Sequence, residues 1–592
     1  MCGISGYMAA PGAGPPGDAI AAMGEALAHR GPDGSRAYRA GDVAMTHNRL
    51  AIVDLATGDQ PLRAPDGVAL VANGEIYNDP DLRAALAGAP FATRSDCEPP
   101  LFLYGREGPG FADRLRGMWA IALHDPGVGR LVLSRDPFGI KPLYFAERAD
   151  GLAFASEPQA LLAAGLAGRA TDPAVATELL QLQFTTGRAT IFPGVSRVLP
   201  GETLVVAGGR IVARQRRAAL PAGGPQAIDE AAALAAIDAA LADSVRVHRR
   251  ADVPYGLFLS GGIDSAAVLA LMARESEQPV LAFTAFFPEA AARDERSAAA
   301  AVAASCGALL QEVPVTQADF FAELPAVAAA MDDPAADYAT VPTWILARAA
   351  RRAGIKVVLS GEGGDEIFGG YGRYRSAMRP WWLGGRAPRR RGSLDGLGLL
   401  RAAGGRAWRD GFAAAASDAA AGGRSRLQAA QALDCADWLP NDLLAKLDRC
   451  LMAHGVEGRT PFLDPVVADA AFRLPDRLKI RDGLGKWILR RWLAKALPAA
   501  APFAPKSGFT VPVGEWIAAA GGRLGPLVAR QPGVAALAHP EAVAALFARG
   551  SGRRAGFAAW SLLFYALWHR RHVQGLPPAG DVFETLSQTP AG

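Results

Sequence analysis

The stretch VPYGLFLSGGIDS, residues 253–265, decides the fold of the second half of the chain. It begins with an apolar run typical of a buried strand, turns at two glycines and continues into a helical pattern. Two further apolar runs, Leu281–Phe287 and Ile355–Ser360, alternate with helical segments in the same way. This alternation indicates parallel strands joined by helices. The sequence therefore predicts a doubly wound α/β domain with a parallel sheet and extra helices.

The glycine turn of this stretch is suited to a phosphate group. Gly261 and Gly262 let the backbone approach an anion closely, at a helix start whose dipole favours negative charge. Ser260 and Ser265 can donate hydrogen bonds, and Asp264 can hold Mg²⁺ on the phosphates. The alternative is a plain strand-to-helix turn. Five positions fixed together in SGG-x-DS favour the phosphate site.

A second glycine loop, SGEGGDEIFGGY, follows the third apolar run and spans Ser360–Tyr371. Its acidic residues are unusual for a simple turn. Carboxylates beside a phosphate loop repel the phosphates unless a cation lies between them. We therefore predict Asp365 as a second Mg²⁺ ligand, paired with Asp264.

The first half of the chain has a different pattern. Short apolar or alternating runs such as Arg49–Leu55, Val68–Asn78 and Trp119–Asp125 are separated by turn residues. Closely spaced short strands indicate stacked antiparallel sheets. We predict a first domain over residues 1–207, a linker rich in Ala, Gly and Pro over 208–226, and a second domain over 227–592.

Bulk properties limit the classes of function. A chain of 592 residues is long enough for two or more domains, and a net charge of +4 argues against a nucleic-acid binder. No apolar run approaches the roughly 20 residues that a membrane span needs. Five scattered cysteines favour neither disulfides nor zinc, so we expect a cytoplasmic protein. Residues 381–425 are interpreted as a weakly ordered, solvated insertion rather than a nucleic-acid patch.

Cys2 directly follows the initiator Met1 and is small enough for Met1 to be removed. Its freed α-amino group, with a pKa near about 8, can then act as a general base for its own thiol. Taken alone, Cys2 is better interpreted as a small hydrophobic residue at a disordered terminus. The surrounding motifs decide between the two.

Five motifs of the first half resemble, in order, the glutaminase domain of class II, N-terminal-nucleophile amidotransferases, which is an αββα sandwich. They are CGISGY (2–7), HRGPDG (29–34), HNRLAIVDL (47–55), NGEIYN (73–78) and SDCE (95–98). The resemblance implies Cys2 as the nucleophile and Arg49 as the partner of the glutamine carboxylate. It implies that Asp96 and Glu75 bind the glutamine ammonium and amide. Asn73 and Gly74 would form the oxyanion hole.

The SGG-x-DS loop resembles that of the PP-loop ATP pyrophosphatases, and the chain as a whole resembles glutamine-hydrolysing asparagine synthetases. RDPFGIKPLYF (135–145), GVEGRTPFLD (455–464) and GLGKWILR (483–490) extend this resemblance. It implies transfer of AMP from ATP to aspartate and displacement of AMP by ammonia from glutamine. Lys486 would neutralise charge during adenylation, and Glu362 would act in forming or using the acyl-adenylate. The implied ATP contacts are Phe258, Ser260, Gly261, Gly262, Asp264, Ser265, Ala285, Ser360 and Gly361.

Where many relatives carry Glu-Pro before the ATP-site helix, this chain has DDPAADYATVP (332–342). The insertion at 381–425 and KSGFTVPVGEW (506–516) fit relatives that act in secondary metabolism or surface-polysaccharide synthesis as well as housekeeping enzymes. They leave open that the acceptor is a carboxylate other than aspartate, because resemblance fixes chemistry better than substrate. A non-catalytic relative is disfavoured because Cys2, Asp264, Glu362 and Lys486 are all present. The expected partners are therefore small molecules, with a homodimer as one form of assembly.

Overall fold

The computed structural model describes residues 2–289, 295–379, 381–383, 385, 391–401, 407–504, 511–548 and 552–588. The first half is built on antiparallel strands: β1 (Gly3–Ala9), β2 (Gly34–Ala40), β3 (Val43–Arg49), β4 (Leu62–Arg63), β5 (Ala69–Ile76), β6 (Gly117–Asp125), β7 (Arg130–Arg135), β8 (Tyr144–Arg148), β9 (Gly151–Ala155), β10 (Ser196–Arg197), β11 (Glu202–Ala207) and β12 (Arg210–Arg216). Its helices are α1 (Gly17–Ala26), α2 (Asp79–Ala85), α3 (Pro99–Glu107), α4 (Pro158–Ala163) and α5 (Pro173–Leu182).

These strands form two stacked six-stranded sheets, in the orders β10-β8-β9-β1-β3-β2 and β12-β11-β7-β6-β5-β4. Alternate apolar side chains such as Met8 and Leu133 pack between the sheets and form a buried core. Helices α1 and α4 cover the outer face of the first sheet, where Leu27 is buried. Helices α2 and α3 cover the second, where Leu101 packs against Ile121 and its neighbours. The predicted αββα sandwich is confirmed.

The strand β12 lies inside the segment 208–226 that we predict as a linker. It pairs antiparallel with β11 and completes the second sheet. Most side chains of Arg210–Arg216 are exposed, so the sequence of this strand resembles that of a polar linker. We therefore place the end of the first unit after Arg216, and residues 217–229 lead to the second unit.

The second half contains a parallel sheet and many helices. Its strands are β13 (Tyr255–Phe258), β14 (Leu281–Phe286), β15 (Leu309–Pro314), β16 (Val357–Leu359) and β17 (Glu457–Arg459), with a small hairpin of β18 (Ile480–Arg481) and β19 (Leu484–Gly485). Its helices are α6 (Glu230–His248), α7 (Ile263–Glu275), α8 (Arg296–Ser305), α9 (Gln317–Ala330), α10 (Thr340–Arg352), α11 (Gly364–Phe368), α12 (Gly372–Met378), α13 (Asp410–Ala420), α14 (Arg426–Leu433), α15 (Leu444–Met452), α16 (Pro465–Phe472), α17 (Asp476–Lys479), α18 (Trp487–Ala496), α19 (Val513–Ala519), α20 (Gly521–Ala529), α21 (Pro532–Leu537), α22 (Pro540–Ala548), α23 (Arg553–His572) and α24 (Val582–Ser587).

The order of the parallel sheet, β15-β14-β13-β16-β17, determines where a ligand can bind. The chain winds outward from β13 to β15, then returns to the other side of β13 and continues through β16 to β17. The direction of winding reverses between β13 and β16. At such a switch point the loops at the carboxyl ends diverge and leave a crevice for a ligand. Both glycine-rich loops follow these two strands, so the predicted doubly wound domain is confirmed with its loops at the crevice.

The segment 381–425 is more ordered than we predict. Leu394 and Leu399 are buried in the main core, and helix α13 buries Phe412. The many Ala and Gly residues of the segment conceal these few apolar anchors when only its composition is considered. Residues 384, 386–390 and 402–406 of this segment, and residues 506–510 of KSGFTVPVGEW, lie outside the described residues. Within the described part of the chain, no helix has both the length and the apolar character to cross a membrane.

Candidate active sites

Cys2 lies at the start of β1, and its side chain is buried against the second sheet of the first half. The backbone nitrogen of Cys2 donates a hydrogen bond to Asn73 Oδ1 at 3.0 Å. Asn73 is fully buried on β5, and its Nδ2 has no hydrogen-bond partner among the described residues. A buried amide donor without a partner is costly unless a ligand uses it. Asn73 Nδ2 is therefore a ready donor for an anionic oxygen formed beside Cys2.

Gly74 follows Asn73 on β5, which packs tightly against β6. A Cβ atom at Gly74 would overlap the carbonyl oxygen of Met118, so only glycine fits this position. Glu75 comes next and pairs across the domain interface with Arg459, whose Nη2 lies 3.2 Å from Glu75 Oε1. Burial raises the pKa of Glu75 well above its ordinary value, and this effect outweighs the opposing influence of Arg459. A cation bound beside Glu75 would stabilise the charged form of its carboxylate.

The two remaining predicted glutamine ligands are Arg49, which lies close enough to the Cys2 thiol to lower its pKa, and Asp96, which lies near Glu75. Arg49 ends β3, with its Nη1 2.7 Å from Asp59 and its Nη2 donating to the carbonyl oxygen of Asp54 at 2.6 Å. Asp96 accepts a hydrogen bond from the Ile76 nitrogen at 2.6 Å. Burial raises the pKa of Asp96 to about 6, and burial likewise raises the pKa of the Cys2 thiol. The first site thus combines a nucleophile, an amide donor, a guanidinium and two buried carboxylates.

Charged residues that we do not assign from the sequence hold this site against the second half. Arg30 is fully buried, and its Nε donates to the Cys2 carbonyl oxygen at 3.1 Å. Its other nitrogens bind Glu157 at 2.6 Å and Asp448 at 2.8 and 3.0 Å. Asp448 also pairs with Arg449 at 2.9 Å. Arg30 and Asp448 are separated by 418 positions, so no local sequence pattern indicates this contact.

The second site begins with the loop after β13. Helix α7 starts immediately after Gly262, so its first backbone N–H groups face the crevice. Ser265 Oγ donates to the carbonyl oxygen of Ser260 at 2.8 Å, and the two hydroxyls lie 3.1 Å apart. A Cβ at Gly261 would lie 3.1 Å from the Ala298 side chain, which leaves little room for a larger residue. The serines therefore shape the loop as well as offering hydroxyl groups to a phosphate.

The glycines of the second loop make room for the acidic residues of the first. A Cβ at Gly361 would lie 2.9 Å from the Asp264 Cβ, and one at Gly364 would lie 2.7 Å from the Asp264 carboxylate. A Cβ at Gly370 would overlap both the Asp365 carboxylate and the Lys486 side chain. These glycines let two loops from neighbouring strands approach closely, which brings Asp264 and Asp365 into one crevice.

Lys486 joins the two carboxylates. Its Nζ forms an ion pair with Asp264 and lies 2.7 Å from Asp365 Oδ1. Burial alone would lower the pKa of Lys486, but the two carboxylates raise it, so the ammonium form is favoured. The Lys486 backbone has φ +58°, an uncommon conformation for a residue other than glycine. Such a residue often marks a functional site, since the strain must be offset by surrounding contacts.

The other predicted nucleotide contacts lie on the same sheet. Phe258 ends β13 and pairs in register with Phe283 on β14. Ala285, two residues farther along β14, is buried near the carboxyl end of that strand. Ser360 begins the second loop directly after β16, and its Oγ accepts from the Glu362 nitrogen at 3.3 Å. All these residues stand at one edge of the sheet, where the crevice opens.

The crevice offers oxygen ligands suited to Mg²⁺. Asp264 and Asp365 converge on one cation, the Lys486 ammonium, and could hold a metal from the same side. Mg²⁺ commonly takes one or two carboxylates and completes its shell with phosphates and water. Among the described residues, no group of three or more His, Cys, Asp or Glu side chains is arranged to bind a metal. The two carboxylates fit Mg²⁺ carried by a nucleotide better than a metal held by protein alone.

An apolar region connects the two sites. One buried cluster includes Leu50, Ile52 and Met118 from the first half together with Leu259 and Leu359 from the second. The backbone of Leu50 lies close enough to Cys2 to lower the pKa of its thiol, against the larger effect of burial. Leu259 and Leu359 immediately precede Ser260 and Ser360 in their respective loops. Residues beside Cys2 and residues that lead into both glycine-rich loops thus belong to one buried apolar cluster.

Comparisons with known proteins match both halves of the chain. A glutamine amidotransferase domain matches residues 1–216, and an asparagine synthase family model matches residues 236–570. A chain from Mycobacterium tuberculosis (strain H37Rv), provisionally named a glutamine-hydrolysing asparagine synthetase, is 37% identical over 97% of this chain and 98% of its own length. Asparagine synthetase 1 of Bacillus subtilis is 30% identical over 94% of each chain. Asparagine synthetase B of Escherichia coli is 29% identical over 83% of this chain and 78% of its own length.

Proposed function

The chain belongs to the asparagine synthase family, and from that premise we propose that it makes asparagine from aspartate, ATP and glutamine. The observation that carries the proposal is the pairing of two sites in one chain. Buried Cys2 contacts Asn73, whose Nδ2 has no partner among the described residues, and a phosphate-type crevice at the sheet switch point holds Asp264, Asp365 and Lys486. The first site would release ammonia, and the second would activate its acceptor.

At the first site, Cys2 attacks the glutamine side-chain amide once Met1 is removed. The freed α-amino group is the base, and its nitrogen is already oriented by Asn73 Oδ1. Asn73 Nδ2 and the Gly74 N–H donate to the oxyanion of the tetrahedral intermediate. Arg49 pairs with the substrate carboxylate. This chemistry gives a glutamyl thioester and ammonia, and water then releases glutamate.

Ammonia must reach the second site without being protonated, because ammonium is not a nucleophile. We propose that it travels through the apolar region between Leu50 and the loops after Leu259 and Leu359. Apolar walls favour the neutral form over the ion, since charge is costly to bury. Leu50 adjoins Cys2, and Leu259 and Leu359 adjoin Ser260 and Ser360 in the two loops, which supports the route.

At the second site, an aspartate carboxylate oxygen attacks the α-phosphorus of ATP, and pyrophosphate leaves. The α7 N-terminus and Ser260 bind the departing phosphates, while Lys486 stabilises negative charge as it develops. Asp264 and Asp365 would hold Mg²⁺, which would add positive charge beside the pyrophosphate. Ammonia then attacks the acyl carbon, and AMP leaves. We also propose the cytoplasm as the compartment, because Cys2 must remain a reduced thiol.

A larger acceptor is the second candidate, and one cavity favours it. A cavity of about 630 Å³ is bordered by Tyr338 and by apolar side chains that include Phe547, Phe557 and Trp560. This volume exceeds what the side chain of aspartate requires. Tyr338 adjoins Asp337, whose carboxylate lies near Lys446, which in turn pairs with Glu362. The contacts Asp337–Lys446 and Lys446–Glu362 lead from this cavity to the crevice, so a carboxylate with an apolar body would have to extend past them to reach it.

Pyrophosphate release from ATP tests the acceptor. We expect aspartate to support release, compared with a panel of glutamate, short aliphatic carboxylates and aromatic carboxylates at equal concentration. Release with an apolar carboxylate and none with aspartate would select the second candidate. Cys2→Ala supplies the complementary test of the first site. It should lose glutamine-dependent synthesis while keeping synthesis from added ammonium, and retained glutamine hydrolysis would exclude Cys2 as the nucleophile.

A further inference from the structure

Lys446, on α15, is a buried lysine beside the second site. Its side chain is 6% exposed, and its Nζ lies 3.3 Å from Glu362 Oε1 and 3.4 Å from Asp337 Oδ2. Burial alone would lower the pKa of Lys446, but the two carboxylates raise it. The ammonium group therefore carries a charge that the protein keeps out of water and directs at Glu362.

The fold fixes the position of Asp337, one of the two carboxylates that contact Lys446. Asp337 Oδ1 accepts a hydrogen bond from the Ala339 nitrogen at 2.6 Å, so only its other oxygen turns toward Lys446. Helices α10 and α15 pack together, and Cys450 Sγ donates to the Thr340 carbonyl oxygen at 3.5 Å. Asp337 and the base of the Lys446 side chain are therefore parts of one rigid unit.

Glu362 is the less confined partner. Its side chain is 27% exposed, against 13% for Asp337, and it stands in the loop between Ser360 and the carboxylate of Asp365. Its backbone follows Gly361, which packs on Asp264. The carboxylate thus borders the open crevice, and Lys446 is a buried group that limits where this carboxylate can lie.

We propose that Lys446 is a positioning residue that holds the Glu362 carboxylate for the amide-forming step. This inference rests on the proposed function. As ammonia attacks the acyl-adenylate, a C–N bond forms and the bond from the acyl carbon to the phosphate oxygen breaks, releasing AMP. The added nitrogen must lose one proton, and the Glu362 carboxylate accepts it. A Glu362 side chain free to turn away would leave the acyl-adenylate exposed to water instead.

The distinguishing quantity is the ratio of amide formed to pyrophosphate released, measured on the full chain with ATP, the acceptor and ammonium. A positioning role predicts that Lys446→Gln leaves pyrophosphate release within about threefold but lowers the ratio at least about tenfold. The KM for aspartate should stay unchanged while kcat for amide formation falls. Lys446→Arg should restore part of the ratio, because it keeps the charge. Asp337→Asn should lower the ratio less. This variant replaces Lys446→Gln as the test if Lys446→Gln does not fold.

Lys479→Met is the matched control. Lys479 is also buried in the same half, but its Nζ donates to Gln431 Oε1 at 3.0 Å and to the Phe472 carbonyl oxygen, and to no carboxylate among the contacts that the structure gives it. We expect this variant to keep the wild-type ratio. An equal fall of pyrophosphate release and amide formation in Lys446→Gln, or an equal loss of ratio in Lys479→Met, would overturn the positioning role. If the wild-type protein releases pyrophosphate with another carboxylate but not with aspartate, the assignment of aspartate as acceptor is overturned. The ratio of amide formed to pyrophosphate released would then be measured with that carboxylate to decide the role of Lys446.

Discussion

Replacing Asn73 by alanine removes two functions that the structure assigns to one side chain. The Nδ2 group is a buried donor without a partner among the described residues, placed to bind the oxyanion formed beside Cys2. The Oδ1 atom accepts the hydrogen bond that orients the Cys2 nitrogen, at 3.0 Å. The substitution removes the Nδ2 donor and the Oδ1 acceptor together, and it leaves the contacts of the ATP site unchanged.

The expected loss follows from these two contacts. Removal of one oxyanion donor costs about 10²–10³ in kcat, or about 2.7–4 kcal/mol. Loss of the hydrogen bond to Cys2 adds about 1 kcal/mol, a further factor of about five. Glutamine hydrolysis by the variant should therefore fall by about 500-fold or more, while synthesis from added ammonium should remain within about twofold of wild type.

Asn78 provides the matched control, because it lies in the same NGEIYN segment and both ends of its amide are bound to the backbone of the protein. Its Nδ2 donates to the Arg114 carbonyl oxygen and its Oδ1 accepts from the Arg116 nitrogen, both at 2.9 Å. Initial rates of glutamate release and of ammonium-dependent amide formation would be measured for both alanine variants. The assignment of Asn73 to the oxyanion is refuted if its variant keeps more than about a tenth of wild-type glutamine hydrolysis.

Three other predictions concern the remaining sites. Gly370→Ala should abolish pyrophosphate release but spare glutamine hydrolysis, because the added Cβ displaces Asp365 and Lys486; normal release would show that the crevice tolerates their displacement. Burial raises the pKa of Asp96 to about 6, so the carboxylate that binds the substrate ammonium becomes protonated below about pH 6. We therefore expect kcat/KM for glutamine to fall as the pH drops below about 6. A flat profile from pH 5 to 7 would contradict this role. Asp448→Ala should lower the free energy of unfolding in urea by about 3–5 kcal/mol, because it removes one of the two carboxylates that pair with buried Arg30 and also a partner of buried Arg449. Glu107→Ala at an exposed pair should cost at most about 1 kcal/mol, and equal effects would mean that the buried pair contributes no more than the exposed one.

The parts of the molecule that sequence predicts well are those in which neighbouring residues act together. The strand, glycine turn and helix around Ser260–Ser265 form one continuous segment, so its pattern predicts the fold, which is confirmed, and a phosphate site, which stays a prediction. The motifs around Cys2 and Asn73 are similarly compact, and the structure brings them into contact at 3.0 Å. Their chemical roles remain predictions until the variants are measured.

What sequence could not supply are contacts between distant positions. Arg30 meets Asp448 across 418 residues, and Glu75 meets Arg459 across the same interface. Neither pair has a spacing that a local pattern could show. The order within 381–425 escapes prediction for a different reason. A few apolar anchors such as Phe412 are enough to bury a segment whose average composition resembles a solvated insertion.

The guanidinium of Arg30 has a consequence for how this protein could be rebuilt from parts. It touches the Cys2 backbone at one end and Asp448 at the other, with Glu157 between them. A glutaminase half transplanted onto a foreign synthetase would keep Glu157 but bring this buried cation to a surface that lacks its second carboxylate, and an isolated half would also lose that partner. The two halves are therefore not interchangeable modules: a working chimaera must carry a carboxylate at the position of Asp448 along with the nucleophile.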